Sequence, residues 1–285
     1  MSVEAHVPAR ASRWRDIGRA ALRSPTFLCG AAILTFWVFC ALFGARLTPY
    51  DPLADDVINS LTPPSSEHWF GTDQLGRDVF SRVIAGSRDI LTVAPLATLL
   101  GAAAGASLGL ACGYFGGLFD VLVGRVIDAF LALPLIVVSL LALVALGSSN
   151  ATVVAVIGLS FTPIIARTVR AAVLGERELD YVSACHLRLE SGSYIMFAEI
   201  LPNVIAPVLV EATVRLGYAI FAVATLSFLG FGIQPPSPDW GLSIATNYGL
   251  VGNYYWTVLF DALAIASLVV GVNLLADGLE HAIGD

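Results

Sequence analysis

The chain contains no lysine, and this absence excludes two kinds of chemistry. All 15 residues of the lysine and arginine class are arginines. A phosphate-binding Gly-x-x-x-x-Gly-Lys-Ser/Thr loop needs a lysine, so the chain is not itself an ATPase of that type. A Schiff-base mechanism needs a lysine amine and is excluded for the same reason.

Cysteine and histidine are scarce and scattered. No Cys-x-x-Cys pair occurs, and no two histidines stand three or four residues apart, so we predict free thiols, no disulfide and no histidine metal site. Ser139 and Ser160 fall in apolar runs without a histidine or lysine to act as base, which argues against an intramembrane serine protease. The residues concerned are Cys29, Cys40, Cys112 and Cys185, and His6, His68, His186 and His281.

Charged residues are also few. They make up 13% of the 285 residues, whereas ordinary soluble domains carry about a quarter. With 57% hydrophobic residues and a mean hydropathy of +0.80, the composition predicts a membrane protein. Backbone groups in lipid must pair within their own segment, so apolar runs of about 20 residues are predicted to be helices. Six runs qualify: Thr26–Ala45, Ile90–Cys112, Val121–Gly147, Ala151–Arg170, Val204–Ile233 and Tyr254–Ala276. The predicted fold class is therefore an all-α polytopic membrane protein.

The distribution of arginine predicts the orientation. Five arginines precede the first run: Arg10, Arg13, Arg15, Arg19 and Arg23. By the positive-inside rule the N-terminus is cytoplasmic, and six crossings return the C-terminus to the same side. The first run is too long for an export signal and lacks a cleavage pattern, so we predict an uncleaved anchor. The predicted parts are a cytoplasmic tail at 1–25, an anchor helix at 26–45, an extracytoplasmic loop at 46–89, and a five-helix core at 90–280 with a cytoplasmic loop at 171–203.

Several residues inside the runs have defined expectations. Glu211 and Arg215 are four apart and are predicted to form an ion pair, as are Arg125 and Asp128, three apart. Asp261 is expected either to face water or to reach the membrane interface. Aromatic rings favour the headgroup level, so we expect Trp240, Tyr248, Tyr254, Tyr255 and Trp256 to mark the outer interface.

Glycine and proline inside the runs suggest how the helices pack. Gly101, Gly105 and Gly109 follow one another at four-residue spacing, which permits close helix contact or, alternatively, lines a pore. Four prolines are expected to kink their helices because proline removes a backbone donor. They are Pro95, Pro134, Pro163 and Pro207.

A polar interval between the fourth and fifth runs is the most informative motif. It reads Asp-Tyr-Val-Ser-Ala-Cys-His-Leu-Arg-Leu-Glu-Ser at 180–191, followed by Ile-Leu-Pro-Asn at 200–203. It resembles the coupling loop of bacterial ABC importer permeases, which runs Tyr-Val-x-Ala-Ala, then Gly and Ser, then His-Ile-Leu-Pro-Asn. The resemblance implies a short helix whose apolar face docks into a groove on a cytoplasmic ATPase. The implied coupling residues are Asp180, Tyr181, Val182, Ala184, Cys185, Arg188, Leu189, Pro202 and Asn203.

Three positions depart from that pattern. Cys185 stands where the family has its second Ala, Leu189 replaces the Gly, and Glu199 replaces the His. Glycine permits a tight turn with positive φ, which leucine adopts only at a cost, so we expect the local turn to differ.

Further segments extend the resemblance over most of residues 12–280. Phe70–Arg88, Gly113–Gly117, Leu226–Pro236 and Pro238–Gly241 are similar to the C-type permease of dipeptide, oligopeptide and nickel importers. The resemblance implies a multi-pass subunit of the bacterial plasma membrane that is not an enzyme and binds no cofactor. Its implied partners are a second related permease, two ATPases that use ATP and Mg, an extracytoplasmic binding protein and the lipid bilayer, with no nucleic acid.

Three functions compete on the sequence. An ATP-driven importer of dipeptides or oligopeptides is favoured by the coupling loop, with nickel, haem or glutathione as alternative solutes. A proton- or ion-coupled secondary transporter would more often show inverted repeats, which are not clear in this chain. An intramembrane enzyme would need a nucleophile with its base or metal ligands.

Overall fold

The computed structural model describes residues 18–284, and this part of the chain is helical without strands. Its one β-type contact is an isolated bridge between Thr72 and Asp78. The principal helices are α1 (Pro25–Leu47), α2 (Val79–Phe115), α3 (Gly117–Leu131), α4 (Leu135–Leu146), α5 (Asn150–Glu176), α6 (Asp180–Leu187), α7 (Leu201–Phe228), α8 (Trp240–Asn247) and α9 (Trp256–Gly284). Among the described residues, five helices are long and apolar enough to cross a membrane, or six if α3 and α4 count as one bent span. The predicted all-α membrane fold is confirmed.

Some helices extend beyond the apolar runs that predicted them. Helix α2 begins at Val79, inside the predicted loop 46–89, because the Asp78 carboxylate caps it by accepting from the Ser81 N–H at 2.8 Å. Helix α5 continues to Glu176, and the helical stretch that leads into α7 begins at Gly192. The part of the predicted loop 171–203 that lies outside these two candidate spanning helices is therefore only 177–191, which contains α6.

The third predicted span, Val121–Gly147, is not one continuous helix. Helices α3 and α4 meet at an angle of 90° across residues 132–134. Pro134 has no N–H to continue the hydrogen-bond ladder, and its ring collides with the preceding turn, so the helix ends there. The expected effect of proline is strong only at this site, since the helices containing the other three prolines run on without interruption: Pro95 in α2, Pro163 in α5 and Pro207 in α7.

Glycines of α2 bring this helix into close contact with α5. A Cβ atom on Gly105 would lie 2.7 Å from Ile165 Cβ, and one on Gly109 would lie 2.6 Å from the Ala166 carbonyl oxygen of α5. Gly101 approaches the Gly158 carbonyl in the same way, at 2.7 Å. The glycine row therefore packs α2 on α5 within the subunit and does not line a pore.

The first and last spans are joined in a similar manner. A Cβ atom on Gly30 would lie 2.5 Å from the Gly271 carbonyl oxygen, so α1 crosses α9 at backbone distance. The Trp37 indole N–H donates to Ser267 Oγ at 2.9 Å beside this crossing. The anchor helix is thus an integral part of the bundle.

Buried polar groups hold together the end of the bundle that contains the 48–78 and 229–255 connections, which we call the outer end after its predicted orientation. Arg82 is 3% exposed, and its guanidinium donates to Ser243 Oγ at 2.8 Å and to the Pro52 carbonyl at 3.1 Å. Its Nε lies 3.8 Å from an Asp73 carboxylate oxygen. Asp261 is 2% exposed and lies within electrostatic reach of Arg82, so it neither faces open water nor reaches the interface. One arginine therefore links α2 to both outer connections.

The aromatic residues expected at the outer interface divide into two groups. Tyr248 and Tyr255 are exposed as predicted, and Tyr254 is half-buried. Trp240 and Trp256 are buried, and their indole N–H groups donate to the Val83 and Thr72 carbonyls at 2.9 and 3.1 Å. The two tryptophans are core residues, and the interface prediction was wrong for them.

Candidate coupling site

Helix α6 forms most of the predicted coupling segment. It starts after Leu179, and Asp180 places an acidic side chain in the first turn, where the helix dipole favours it. After the turn at 188–190, Ser191 caps the next helical stretch by accepting from the Tyr194 N–H at 3.2 Å. A π-helical turn at Ile195–Ile200 then leads directly into α7. The coupling segment is therefore attached to two spanning helices, α5 before it and α7 after it.

One face of α6 packs into the subunit itself. Val182 and Cys185 are each 1% exposed and belong to the hydrophobic core. The Tyr181 hydroxyl donates to a Glu176 carboxylate oxygen at 2.8 Å, and burial raises the pKa of Tyr181 to about 12. The apolar face predicted from Tyr181, Val182, Ala184 and Cys185 is thus divided, with only Ala184 exposed. The three inward residues fix α6 to its own bundle.

The opposite face presents apolar side chains to solvent. Leu187 is 85% exposed and Leu189 is 91% exposed, with Ala184 exposed beside them. Their neighbours Ser183, His186 and Arg188 are exposed as well. No interaction within residues 18–284 covers this apolar surface, which we call the leucine patch and define as Ala184, Leu187 and Leu189.

The turn after α6 keeps the geometry that glycine would give. Leu189 has φ +59°, in the left-handed region, contrary to the expectation that leucine would change the turn. The Glu190 N–H donates to the Cys185 carbonyl at 3.2 Å, and the Leu189 N–H donates to the His186 carbonyl at 3.0 Å. These two bonds form a Schellman motif, which satisfies the last carbonyls of the helix. The turn expected of glycine is therefore present, although Leu189 must adopt the left-handed conformation, which is unfavourable for leucine.

Arg188 joins the turn to the next helix. It lies 3.8 Å from carboxylate oxygens of both Glu190 and Glu199, and its guanidinium donates to Cys185 Sγ at 3.1 Å. Glu199, which replaces the family's histidine, thus provides a partner for Arg188. Pro202 follows the π-helical turn inside the continuous helical stretch Gly192–Phe228, and the Asn203 amide donates to the Glu199 carbonyl at 3.1 Å.

Ion pairs tie the bent helix α3 to α5. The Arg170 guanidinium donates to both oxygens of Asp120, and Arg167 donates to Asp128. Asp128 therefore pairs across helices, and the predicted local pair with Arg125 is wrong. Helix α5 also reaches α2 through Arg177, which donates to the Gly113 carbonyl at 2.8 Å. We call the two pairs Arg167–Asp128 and Arg170–Asp120 the α3–α5 clasp.

Glu211 and Arg215 lie together on α7. The Arg215 Nε donates to Glu211 Oε1 at 2.6 Å, and the guanidinium carbon lies 4.8 Å from the ring centroid of Tyr218. Thr168 of α5 donates to the other Glu211 oxygen at 3.4 Å. Both charges are thus compensated inside the subunit.

The sequence and its relatives define the class of protein. Residues 105–285 match the family described as "Binding-protein-dependent transport system inner membrane component", and residues 12–64 match "N-terminal TM domain of oligopeptide transport permease C". A dipeptide transport system permease protein, DppC, of Alkalihalophilus pseudofirmus is 36% identical over 95% of this chain and 90% of its own length.

Two more relatives are also transport system permeases. The probable D,D-dipeptide transport system permease protein DdpC of Escherichia coli is 34% identical over 90% of this chain and 86% of its own length. The glutathione transport system permease protein GsiD of Pectobacterium atrosepticum is 34% identical over 95% and 90%. The chain therefore belongs to the binding-protein-dependent inner-membrane permeases. Within them it is a C-type permease of an ABC peptide importer, a multi-pass protein of the bacterial plasma membrane and not an enzyme.

Two features of the site were not found from the sequence. Leu187 was not among the predicted coupling residues, although its position five residues after Val182 places it away from the buried face of α6. The α3–α5 clasp joins residues that are 39 and 50 positions apart, which helical spacing does not reveal.

Proposed function

We propose that this chain pairs with a second, related permease to form the pathway of an importer for short peptides. Two cytoplasmic ATPases drive it with ATP and Mg, and an extracytoplasmic binding protein delivers the solute. The chain itself binds no cofactor. The names of its relatives, which include dipeptide and D,D-dipeptide permeases, support a dipeptide-sized solute over a longer oligopeptide. Nickel, haem and glutathione are the alternative solutes, the last supported by a relative's name.

The leucine patch is the observation that carries the coupling part of this proposal. Leu187 at the end of the short helix and Leu189 in the turn after it are exposed by 85% and 91%. Amphipathic helices dock by laying such side chains into an apolar groove. The ATPase subunit therefore contacts Ala184, Leu187 and Leu189, while Val182 and Cys185 hold the helix to the permease.

The attachment of α6 suggests how force reaches the membrane. Helix α6 is fixed to the core through its buried face, so a push on it moves α5 and α7. Helix α5 is packed on α2 by the glycine row and held to α3 by the α3–α5 clasp, so these helices move with it. ATP binding supplies the different stability of two arrangements that a shift between inward-open and outward-open states requires.

Asp261 supports the second candidate, a proton-coupled carrier. Its Oδ1 is buried and has no hydrogen-bond partner among residues 18–284, and isolated intramembrane acids are typical of proton pathways. Uptake that needs ATP and persists when the proton gradient is collapsed would reject this candidate.

A pair of matched variants tests the coupling surface. Leu187→Asp places a charge in the leucine patch, whereas Ser193→Asp places the same charge on an exposed position of the same loop. We expect Leu187→Asp to reduce peptide uptake and recovery of the ATPases by about tenfold or more, because an unpaired charge would be buried in the groove. The thermal unfolding of the isolated subunit should not change. Uptake and ATPase recovery equal to those of the Ser193→Asp control would contradict the assignment.

A further inference from the structure

A cleft of about 550 Å³ opens at the outer end between α1 and α2. The last two turns of α1 form one wall, and the connection at residues 49–53 forms its roof. Ala85, Arg88 and Asp89 of α2 form the opposite wall, with Pro238 beside them. The lining therefore combines apolar groups of a spanning helix with three charged side chains, Asp51, Arg88 and Asp89.

The cleft lies where the apolar run of α1 ends. Gly44 is within van der Waals reach of Ala85, since a Cβ atom there would lie 3.7 Å from Ala85 Cα. The apolar run of α1 ends at Ala45, and Arg88 follows Ala85 by about one turn of α2, so the cleft lies at the level where the apolar part of α1 gives way to polar residues. Leu42 and Phe43 next to the cleft are 73% and 43% exposed on α1. The cleft thus opens at headgroup level beside an apolar, lipid-facing helix surface.

Only part of the hydrogen-bonding capacity of the cleft's charged groups is satisfied within the described part of the chain. The Arg88 guanidinium is exposed, and no side chain or carbonyl in the described part of the protein bonds it. Asp89 accepts from Ser237 Oγ through one oxygen, and Asp51 Oδ1 accepts from the Leu53 N–H at 2.9 Å. One free guanidinium therefore stands near two carboxylates that have further acceptor capacity.

This charge pattern selects among ligands. A guanidinium binds phosphate through two parallel N–H groups. The lining contains one positive and two negative side chains, so a purely anionic ligand would meet net repulsion. A ligand that carries an N–H-donating cation close to its phosphate satisfies both signs. We propose that the cleft binds the headgroup of phosphatidylethanolamine, with its phosphate on Arg88 and its primary ammonium between Asp51 and Asp89.

Two related ligands fit less well. Phosphatidylcholine has the same charges, but its quaternary ammonium has no N–H to donate to a carboxylate. A dipeptide is also a zwitterion, yet it has no acyl chains to cover the apolar surface formed by Leu42 and Phe43. The lipid uses both the charged and the apolar parts of the cleft.

Native mass spectrometry of the purified full chain tests the proposal. The protein is incubated with phosphatidylethanolamine, phosphatidylcholine or phosphatidylglycerol of identical acyl chains, and bound lipid is counted after gentle activation. We expect phosphatidylethanolamine to be retained about fivefold better than phosphatidylcholine, the effect of one partly exposed charged hydrogen bond. Equal retention of the two would overturn the proposal, and so would the highest retention of phosphatidylglycerol.

Variants locate the effect in the cleft. Arg88→Gln and Asp51→Asn should each lower phosphatidylethanolamine retention about fivefold towards the phosphatidylcholine level. Arg46→Gln, which removes an exposed arginine from the same end of α1 outside the cleft, should leave it unchanged. Displacement of the lipid by a dipeptide at equal concentration, or equal losses in all three variants, would reject the assignment. All these positions are exposed, and the comparison of lipids on the unaltered chain decides the question even if a variant misfolds.

Discussion

The two ends of the bundle differ in which side chains they bury and which they expose. At the outer end, several charged and aromatic residues are buried with partners within the chain, as Arg82, Trp240 and Trp256 are. At the coupling end, the charges of Arg188 and its two glutamates remain partly exposed, and two leucines face solvent. The outer end thus has buried polar contacts that are made within one subunit, although Val57 and Ile58 are 73% and 96% exposed there. At the coupling end the exposed apolar side chains lie on and just after α6, the helix that carries the coupling motif, as expected of a surface covered by another protein.

The strongest test of this difference is the loss of Arg82. Arg82→Met removes the positive charge that faces buried Asp73 and Asp261 and the bonds to both outer connections. We expect a loss of about 3 kcal/mol in the free energy of unfolding, because the Ser243 hydroxyl and the Pro52 carbonyl lose a charged donor, while Asp73 keeps its ion pair with Arg77 at 2.8 Å. Denaturant unfolding of the purified subunit in detergent measures it. Arg46→Met, at an exposed arginine, should change the stability little; a similar loss in both variants would show that Arg82 has no special role.

A pH titration examines the outer end more finely. Burial raises the pKa of Asp239 to about 6, despite the hydrogen bond that its carboxylate accepts from the Leu242 N–H. Because this pKa is above that of the unfolded chain, the folded state binds the proton more tightly. The resulting stabilisation is complete at low pH and is lost as the pH rises through about 6. The effect is on the order of 2–3 kcal/mol between pH 4 and pH 7.

Asp239→Asn should remove this part of the pH dependence, since asparagine keeps the helix cap without titrating. The measurement is the unfolding midpoint at several pH values for both proteins. Parallel curves for the two would mean that Asp239 does not titrate in this range.

The smallest expected effect concerns the coupling end. Leu189→Gly removes the backbone strain of a leucine at φ +59° from the folded state, but it also raises the conformational entropy of the unfolded chain. The net gain in the free energy of unfolding is therefore about 0.5–1 kcal/mol. ATPase recovery should fall at the same time, because the variant also removes a leucine from the patch. Thermal unfolding and co-purification measure the two effects. Leu61→Gly is the matched control, since Leu61 also has positive φ, at +57°, but lies at the outer end; an equal drop in ATPase recovery for that variant would contradict the role of Leu189.

Local patterns predicted the helices better than the contacts between them. Apolar length identified the five continuous spanning helices, and the motif at 180–203 predicted the short helix α6, because both depend on neighbouring residues. The inward position of Val182, the burial of Trp240 and the pairing of Asp128 with Arg167 depend on distant segments. A single sequence does not contain that information. Pro134 is evident in the sequence, but proline alone does not predict the break there, because three other prolines in apolar runs leave their helices continuous.

The length of α2 has a geometric consequence for movement. Its 37 residues form a continuous helix of about 55 Å, almost twice the thickness of a bilayer core of about 30 Å. Arg82 connects one end to the outer connections, and Arg177 of α5 holds the other end near Gly113. If this helix tilted by about 10° about its midpoint, its two ends would move by about 5 Å in opposite directions. The space beside α2 would then narrow on one side of the membrane and widen on the other.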